Sequence, residues 1–266
     1  MLRAFIRSNQ RVSSSIMQRA PHRRNLWNEY VDVVADALTK PEYRVVVDIG
    51  GGRSCPFART RPAGSRAKII AADVSQEELA YNSDVDECVV ADASQTLPFS
   101  DGEVDLLTSS STVEHLPDVE AFIRESHRVL RPGGAFVHVF PSKFALYAVL
   151  NRCLPNSVAK RALKIVFPGS DGVLGFEAHY DRCYASGIKK ALERNGFEIV
   201  EIRTSYFSAY YFSFFVPLFL LATAFELATY YLRLKNLGAG LLVIARRGQD
   251  SAADLSPQEP ALRGAA

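Results

Sequence analysis

The chain has 266 residues, 48% of them hydrophobic and 23% charged, enough to form one α/β domain with extensions. Its net charge is only +2, so we do not expect the concentrated basic surface that a nucleic-acid partner usually needs. The cysteines form no C-x-x-C pair and have no histidine at zinc spacing, which predicts free thiols, a reducing compartment and no metal site. They are Cys55, Cys88, Cys153 and Cys183.

Residues 1–40 are predicted to form a basic helical extension, because apolar side chains recur at helical spacing among arginines. The arginines are Arg3, Arg7, Arg11, Arg19, Arg23 and Arg24. Three interpretations stay open, namely a membrane-surface helix, a mitochondrial transit peptide and a solvated cap on the domain. No secretory signal is recognised. We therefore expect a cytoplasmic protein with peripheral membrane contact, with the mitochondrial matrix as the alternative.

Between residues 44 and 140, short β-rich runs alternate with helical patterns, which is typical of a parallel sheet covered on both faces. The strands predicted in this part are Arg44–Ile49, Lys68–Asp73, Glu87–Asp92, Val104–Ser109 and Ala135–Phe140. The carboxyl ends of the strands form the ligand crevice of such a sheet. Asp48, Asp73 and Asp92 are therefore expected around one cleft.

The remaining pattern completes a domain that we place at residues 41–248, followed by a predicted disordered tail at 249–266 that is rich in Ala, Ser and Pro. Helix signals predict one helix that ends in a Pro-Gly-Gly turn and one that begins at a serine N-cap. Two more strands follow. These elements are helix Asp118–Leu130 with its turn at Arg131–Gly134, a helix from Ser186 to Asn195-Gly196, and strands Phe197–Thr204 and Gly240–Arg246.

The most informative motif is the apolar strand Val45–Ile49, which runs directly into the loop Gly50–Gly52. Glycine lets a ligand approach the backbone closely, and a helix N-terminus after the loop favours a carboxylate or phosphate. An ordinary tight turn is the alternative. A dinucleotide is not favoured, because Cys55 occupies the place of the third glycine of G-x-G-x-x-G. The nearby acid Asp48 suits an ammonium group better than a pyrophosphate.

These features resemble the class I S-adenosylmethionine-dependent methyltransferases, particularly the group with a D-x-G-x-G loop, over residues 44–140. The resemblance implies a Rossmann-like, doubly wound, seven-stranded and mostly parallel sheet in three α/β/α layers, with S-adenosylmethionine as the cofactor. The cofactor-binding residues that it implies are Asp48, Gly50, Gly51, Gly52, Asp73, Val74, Asp92, Ala93 and Ser109. Later motifs match in the same order: Leu97-Pro98-Phe99, Glu114-His115-Leu116-Pro117 and Leu130–Gly134.

Within that resemblance, Asp73 would accept both ribose hydroxyls and Asp92 would lie near the exocyclic amine of adenine. Methyl transfer from a sulfonium is an in-line displacement, so positioning can supply most of the catalysis and a base helps when the acceptor must lose a proton. The candidates for that base are His179, His115 and Asp181. His138 is predicted to be a core histidine.

The last two predicted strands are separated by an apolar insertion at about residues 206–236, and residues 205–225 carry no charge. A single membrane crossing conflicts with a last strand that returns to the same sheet, so we predict a re-entrant or interfacial hairpin broken at Pro217. Its tyrosines suit a membrane interface. The alternatives are helices that pack on the domain or form a homodimer contact.

The sequence thus predicts methyl transfer to a hydroxyl or amine of an amphipathic, lipid-linked or glycan acceptor at a membrane surface. A small-molecule methyltransferase that uses the insertion as a lid or dimer interface is the first alternative. A non-catalytic cofactor-binding scaffold is the second.

Overall fold

The computed structural model describes residues 1–153 and 177–249. The helices are α1 (Leu2–Met17), α2 (Leu26–Ala37), α3 (Gln76–Leu79), α4 (Val119–Val129), α5 (Leu146–Cys153), α6 (Ala185–Arg194) and α7 (Val216–Tyr231). The strands are β1 (Val45–Ile49), β2 (Lys68–Asp73), β3 (Glu87–Val90), β4 (Val104–Ser110), β5 (Leu130–Pro141), β6 (Phe197–Ser205) and β7 (Gly240–Arg247). The predicted disordered tail, apart from Gln249, lies outside the described residues.

All seven strands form one sheet in the order β3-β2-β1-β4-β5-β7-β6. The pairs from β3 to β5 are parallel, and β7 runs antiparallel to both of its neighbours, β5 and β6. The predicted seven-stranded, mostly parallel sheet is confirmed. The strand order reverses beside β1, where β4 follows on the other side, so this sheet edge is the expected place for a ligand crevice.

Two local predictions were wrong. The turn expected at Arg131–Gly134 is instead part of β5, because the strand begins at Leu130 and pairs with Val104 before a register shift. The N-cap expected at Ser186 is also wrong, because α6 begins at Ala185 and its N-cap position is Tyr184, which makes no side-chain capping bond. Asp118 does cap α4, where its carboxylate accepts a hydrogen bond from the Ala121 amide at 2.9 Å.

Helices cover both faces of the sheet, which gives three layers. On one face, α4 packs on β5 and α6 packs on β6, with Phe122 and Leu192 buried in the core. On the other face, α2 packs on β5 and β7 and buries Leu26 and Val34. The predicted boundary at residue 41 therefore falls inside one packed unit, because α2 belongs to the sheet's second core.

The insertion between β6 and β7 begins and ends at adjacent points of the sheet, since Ser205 pairs with Gly240. It contains a 3-10 turn, Ala209–Phe212, then the helix α7, and a second 3-10 turn, Lys235–Leu237. The predicted break at Pro217 was wrong, because this proline lies in the first turn of α7, where its missing N–H needs no partner. Within residues 1–153 and 177–249, none of the helices is both long and apolar enough to cross a membrane.

The basic helix α1 forms as predicted and packs against the insertion. The Asn9 side chain accepts a hydrogen bond from the Val216 amide at 2.9 Å, which occupies a free amide at the start of α7. Farther along, His22 Nε2 lies 3.0 Å from Glu226 Oε2, and both side chains are buried. The other Glu226 oxygen accepts bonds from the Ser208 amide and hydroxyl, at 2.6 and 2.8 Å.

Candidate functional site

The glycine loop leaves β1 in a conformation that only glycine adopts without strain. Gly50 has a φ of +74°, and its amide donates to the Ala72 carbonyl at 2.7 Å. A Cβ at Gly50 would lie 2.2 Å from Thr112 Oγ1, and one at Gly51 would lie 2.8 Å from the Ala71 side chain. The loop is therefore clamped between β2 and the turn after β4, and there is no room for a side chain at Gly50 or Gly51.

Asp73, the last residue of β2, is hydrogen-bonded to the glycine loop. Its Oδ2 accepts from the Gly52 amide at 3.0 Å and its Oδ1 from the Ser75 amide at 2.8 Å. Each oxygen keeps a further lone pair, so the half-buried carboxylate can still accept two hydroxyl groups. Val74 beside it is exposed.

Asn82, which the sequence interpretation missed, holds the loop from the other side. Its side-chain amide donates to the carbonyls of Gly51 and Gly52, at 3.2 and 2.9 Å. These bonds occupy the loop carbonyls and leave the loop with a fixed shape. No motif marked this asparagine, since it follows α3 in an ordinary polar turn.

Asp92 lies two residues beyond β3 and is exposed, while Ala93 next to it is buried. Asp92 Oδ1 accepts from the Ser94 amide at 2.8 Å, which fixes the carboxylate at the start of the turn. Because β3 is parallel to β2, this turn follows the same strand edge as Asp73.

Asp48 and Ser109 differ from their predicted placement on the open cleft. The Asp48 carboxyl is buried under α2, where its Oδ1 lies 3.4 Å from the Tyr30 hydroxyl, and burial raises its pKa to about 7. Ser109 has no exposed surface, and its hydroxyl lies 2.6 Å from His138 Nδ1. Both residues support the loop and β4 from inside the protein, because β1 and β4 each direct alternate side chains into the core.

His138 is a core residue, as predicted, although only one of its ring nitrogens is bonded. Burial lowers its pKa to about 3, so the ring is neutral at physiological pH. The other nitrogen, Nε2, is buried without a hydrogen-bond partner among the described residues.

The three predicted base candidates are brought together on a rim formed by residues 113–119 and 177–181. His115 Nδ1 lies 2.8 Å from the Glu177 carbonyl, and the His179 amide donates to the Glu114 carbonyl at 2.8 Å. Asp181 Oδ2 accepts from the Val119 amide at 3.1 Å at the start of α4, so its carboxylate is used in holding the rim together. The His179 side chain is exposed.

Glu114 is the functional candidate on this rim that the sequence interpretation missed. Its side chain is buried, its Oε2 has no hydrogen-bond partner among the described residues, and burial raises its pKa to about 8. A buried carboxyl without a partner is costly, which marks a site where another group is expected. The Glu-His-Leu-Pro motif includes this position, but the motif pointed to the histidine as the base.

Two aromatic side chains, Tyr147 and Tyr180, interact electrostatically with Glu114, and a third stacks on Tyr147. Tyr147 of α5 stacks on Tyr211 of the insertion, with ring centroids 4.2 Å apart. Burial and the nearby Glu114 charge raise the pKa of Tyr180 to about 12, and the pKa of Tyr147 is shifted in the same direction. The carboxyl therefore lies in an aromatic, poorly hydrated environment next to the insertion.

Trp27 connects α2 to the same edge of the sheet. Its indole Nε1 donates to Ser111 Oγ at 2.9 Å, and Ser111 has a φ of +57° at the turn after β4. The next residue, Thr112, donates from its hydroxyl to the Ile49 carbonyl at 3.0 Å. This short turn thus contacts the glycine loop, α2 and the rim.

Residues 47–138 match a known protein family whose description is "Methyltransferase domain". The matched stretch starts in β1 and ends in β5, so it contains the glycine loop, the strand-end acids and Glu114.

Among the most similar curated relatives, a demethylmenaquinone methyltransferase of Mycobacterium marinum is 30% identical over 144 residues, which are 52% of this chain and 62% of that protein. A 27-O-demethylrifamycin SV methyltransferase of Amycolatopsis mediterranei is 35% identical over 98 residues, 34% of this chain and 35% of that protein. The chain thus spans between about a third and three fifths of the length of these relatives.

Among solved structures, an S-adenosylmethionine-dependent methyltransferase from Mesorhizobium loti has a similar fold. The TM-score is 0.50 at 21% sequence identity, and the match covers 81% of this chain and 96% of that one. At this identity the likeness concerns the fold, and it includes elements outside residues 47–138.

Proposed function

Since the chain belongs to the class I S-adenosylmethionine-dependent methyltransferases, we propose that it transfers a methyl group to a hydroxyl or amine of an amphipathic acceptor, lipid-linked or glycan-bearing, at a membrane surface. The observation that carries the proposal is the turn at Thr112, which contacts the glycine loop and leads directly into Glu114. A cofactor loop and a buried carboxyl are thereby held next to each other at the carboxyl ends of β1 and β4.

The residues at the loop fit this cofactor. The glycines leave the backbone open to close approach, Asp73 would accept the ribose hydroxyls, and Asp92 would accept the adenine amine. When bound, S-adenosylmethionine supplies an electrophilic methyl group on a sulfonium. Asp48 would act from behind the loop, where its contact with Tyr30 orients the end of β1.

At the acceptor end, Glu114 would take the proton that the acceptor must lose. The methyl group would come from the bound cofactor, which would leave as S-adenosylhomocysteine, and the ionised Glu114 carboxylate would accept at Oε2 the proton that the acceptor oxygen or nitrogen loses. A carboxyl with a pKa of about 8 is a stronger base than an ordinary glutamate, and a catalytic base works best when its pKa is near the working pH. His115, His179 and Asp181 would then position the rim.

The relatives support methyl transfer, while the acceptor class is our own inference. The names of the two relatives above refer to a rifamycin derivative and to demethylmenaquinone, which are different acceptors. The support for an amphipathic acceptor comes from this chain, because Tyr211 of the apolar insertion lies against Tyr147 beside Glu114. An acceptor with an apolar part could contact both.

Calorimetric titration with S-adenosylhomocysteine tests the cofactor site. Wild type should bind in the micromolar range, and Asp73→Ala should weaken binding by about 1–3 kcal/mol through lost charge-assisted hydrogen bonds. Glu87→Ala, an exposed acid at the start of β3, is the control and should bind like wild type. No binding by folded wild type would contradict the proposal.

The acceptor class is then tested with methyl-labelled S-adenosylmethionine and a membrane lipid extract. Label should enter the organic phase with wild type and should not do so with Asp73→Ala at a limiting cofactor concentration. Label that enters only water-soluble small molecules would favour the alternative in which the insertion serves as a lid.

A further inference from the structure

The outer side of α7 is an apolar helix face that no described part of the chain covers. Its inner side packs on the insertion and α1 through Phe219, Ala222 and Thr229. Among the large apolar or aromatic side chains that are exposed at and just after α7, we call five the outer face of α7. Three of them, Leu221, Tyr231 and Leu232, are each 68% exposed. The five are Leu220, Leu221, Phe225, Tyr231 and Leu232.

No charge interrupts this face. Glu226 is the sole charged side chain within α7, and it is buried against His22 and Ser208. A helix that is apolar on its solvent side as well as its core side is unusual for a helix facing water, since surface helices normally carry polar residues there. Contiguous exposed apolar surface of this kind marks an interaction site.

Exposed positive charge lies on two segments that adjoin α7. Arg233 and Lys235 follow α7 directly, and both are exposed. The α1 segment, which Asn9 and His22 fasten to the insertion, contains no acid before Glu29. Its exposed arginines are Arg3, Arg7, Arg11, Arg19 and Arg23. Exposed cationic side chains on segments next to an apolar helix face are complementary to anionic headgroups over acyl chains.

We infer that the outer face of α7 lies in the headgroup region of an anionic lipid bilayer, parallel to its surface, with Arg233, Lys235 and the α1 arginines on the headgroups. This contact surface rests on the membrane setting of the proposed function, and vesicle binding measures it without any methyl transfer. The helix has 16 residues, so it lies in the interface and does not span. The same insertion places Tyr211 beside the Glu114 rim, which connects the bilayer with the acceptor end.

The first experiment is flotation of the full chain with vesicles of phosphatidylcholine alone or mixed with phosphatidylglycerol. Wild type should float with the mixed vesicles, bind the neutral ones at least about tenfold less, and lose binding as salt rises, because cationic contacts are screened. Wild type that stays at the bottom of the gradient with mixed vesicles overturns the inference.

Matched variants locate the contact. Replacing Leu220, Leu221 and Phe225 together by serine should reduce binding to mixed vesicles at least about tenfold, because each removes apolar area from the interface. The control replaces three large side chains that are exposed elsewhere, Tyr81, Val90 and Val200, by serine and should leave binding unchanged. Equal losses in both triple variants overturn the inference.

A second pair of variants tests the charges. Arg233→Gln with Lys235→Gln should weaken binding to mixed vesicles severalfold, whereas Lys189→Gln with Lys190→Gln on the exposed side of α6 should not. If both pairs weaken binding equally, net charge alone explains the effect, and the proposed contact of Arg233 and Lys235 with the headgroups is overturned.

Two further measurements distinguish a bilayer contact from self-association and from damage to the cofactor site. In sedimentation without lipid, wild type should be a monomer; a wild-type dimer that the serine variant converts to monomer would assign the face to a second copy of the chain and overturn the lipid contact. Titration of the serine variant with S-adenosylhomocysteine should match wild type, so a failure of vesicle binding and a failure of cofactor binding are independent results.

Discussion

The glycine loop and α7 are held in place by different kinds of interaction. The loop is held by backbone geometry, with positive φ at Gly50 and amides and carbonyls bonded to Asp73 and Asn82. The helix α7 is held by apolar packing, a buried polar cluster at Glu226 and the Asn9 bond at its first turn, and no special backbone conformation occurs within it. Backbone geometry restricts which residues can occur, whereas apolar packing accepts many sequences.

This difference explains why the two regions have different sequence signals. A position that only glycine can occupy appears in the sequence as a motif, so the loop can be recognised from a few residues. An apolar helix appears only as composition, which is the same for a core helix, a dimer contact and a membrane-surface helix. We therefore expect single substitutions in the loop to have large effects on cofactor binding. In α7, we expect only the substitution of Glu226 to have a large effect on stability.

The largest effect is expected at Gly50. Gly50→Ala should abolish binding of S-adenosylhomocysteine, at least about a thousandfold or about 4 kcal/mol, because the Cβ would lie 2.2 Å from Thr112 Oγ1. Gly64→Ala is the control, since Gly64 also has a positive φ, +90°, but a Cβ there would meet nothing within 4 Å. Calorimetry with both variants separates the clash from backbone strain, and equal losses would contradict the clash.

The next largest effect tests whether α7 depends on its one polar cluster. Glu226→Ala should lower the free energy of unfolding by about 3–5 kcal/mol, because it leaves buried partners at His22 and Ser208 without their acceptor. Glu193→Ala, which breaks an exposed pair with Lys189, should cost less than about 1 kcal/mol. Urea unfolding measures both, and a small loss for Glu226→Ala would mean that apolar packing alone fixes α7.

Glu114→Gln is expected to act on the rate and to spare the cofactor. Methyl transfer to the labelled lipid fraction should fall about a hundredfold, the usual contribution of a general base, while binding of S-adenosylhomocysteine stays the same. In wild type the rate should rise with pH through about 8, as Glu114 loses its proton at its raised pKa, and this rise should disappear in the variant. Glu198→Gln, exposed on β6, is the control and should keep both the rate and the pH profile.

The smallest effect is a pH dependence of stability. Burial raises the pKa of Glu114 to about 8 from an ordinary value of 4.5, so the native state binds a proton that the unfolded chain releases. The associated stability is fully present below pH 4.5 and is lost as pH rises through about 8. Glu114→Gln should reduce the stability difference between pH 5 and pH 8.5 by about 1 kcal/mol or more in urea unfolding. An unchanged difference would show that Glu114 is ionised in the native state.

Most of the sheet could be predicted from the sequence, because each strand is an apolar run that ends in an acid or a turn signal. β1 and β2 were predicted within a residue of their observed ends. The start of β5 could not be predicted, since a Pro-Gly-Gly sequence normally ends an element and here continues by pairing with β4. The prediction of the fold class used only the alternation of strands and helices, so an error at the end of one element does not change it.

The placement of candidate site residues could be predicted where they follow the strand ends, and it could not be predicted where tertiary packing decides it. Asp73 and the glycines needed only strand order, whereas Ser109 was misplaced because burial of one strand face depends on the helix above it. Glu114 and Trp27 have roles that arise from contacts with distant segments, 177–181 and 111–112. A single sequence carries no signal for such contacts.

The bond between His22 and Glu226 joins positions that are 204 residues apart. Removing the segment before α2 would take from the Glu226 carboxylate one of its three hydrogen-bond partners, and removing α7 would take from the His22 ring its Glu226 partner. Neither piece can be lost alone without a compensating change in the other. In homologous proteins, the two segments should therefore be either both present or both absent.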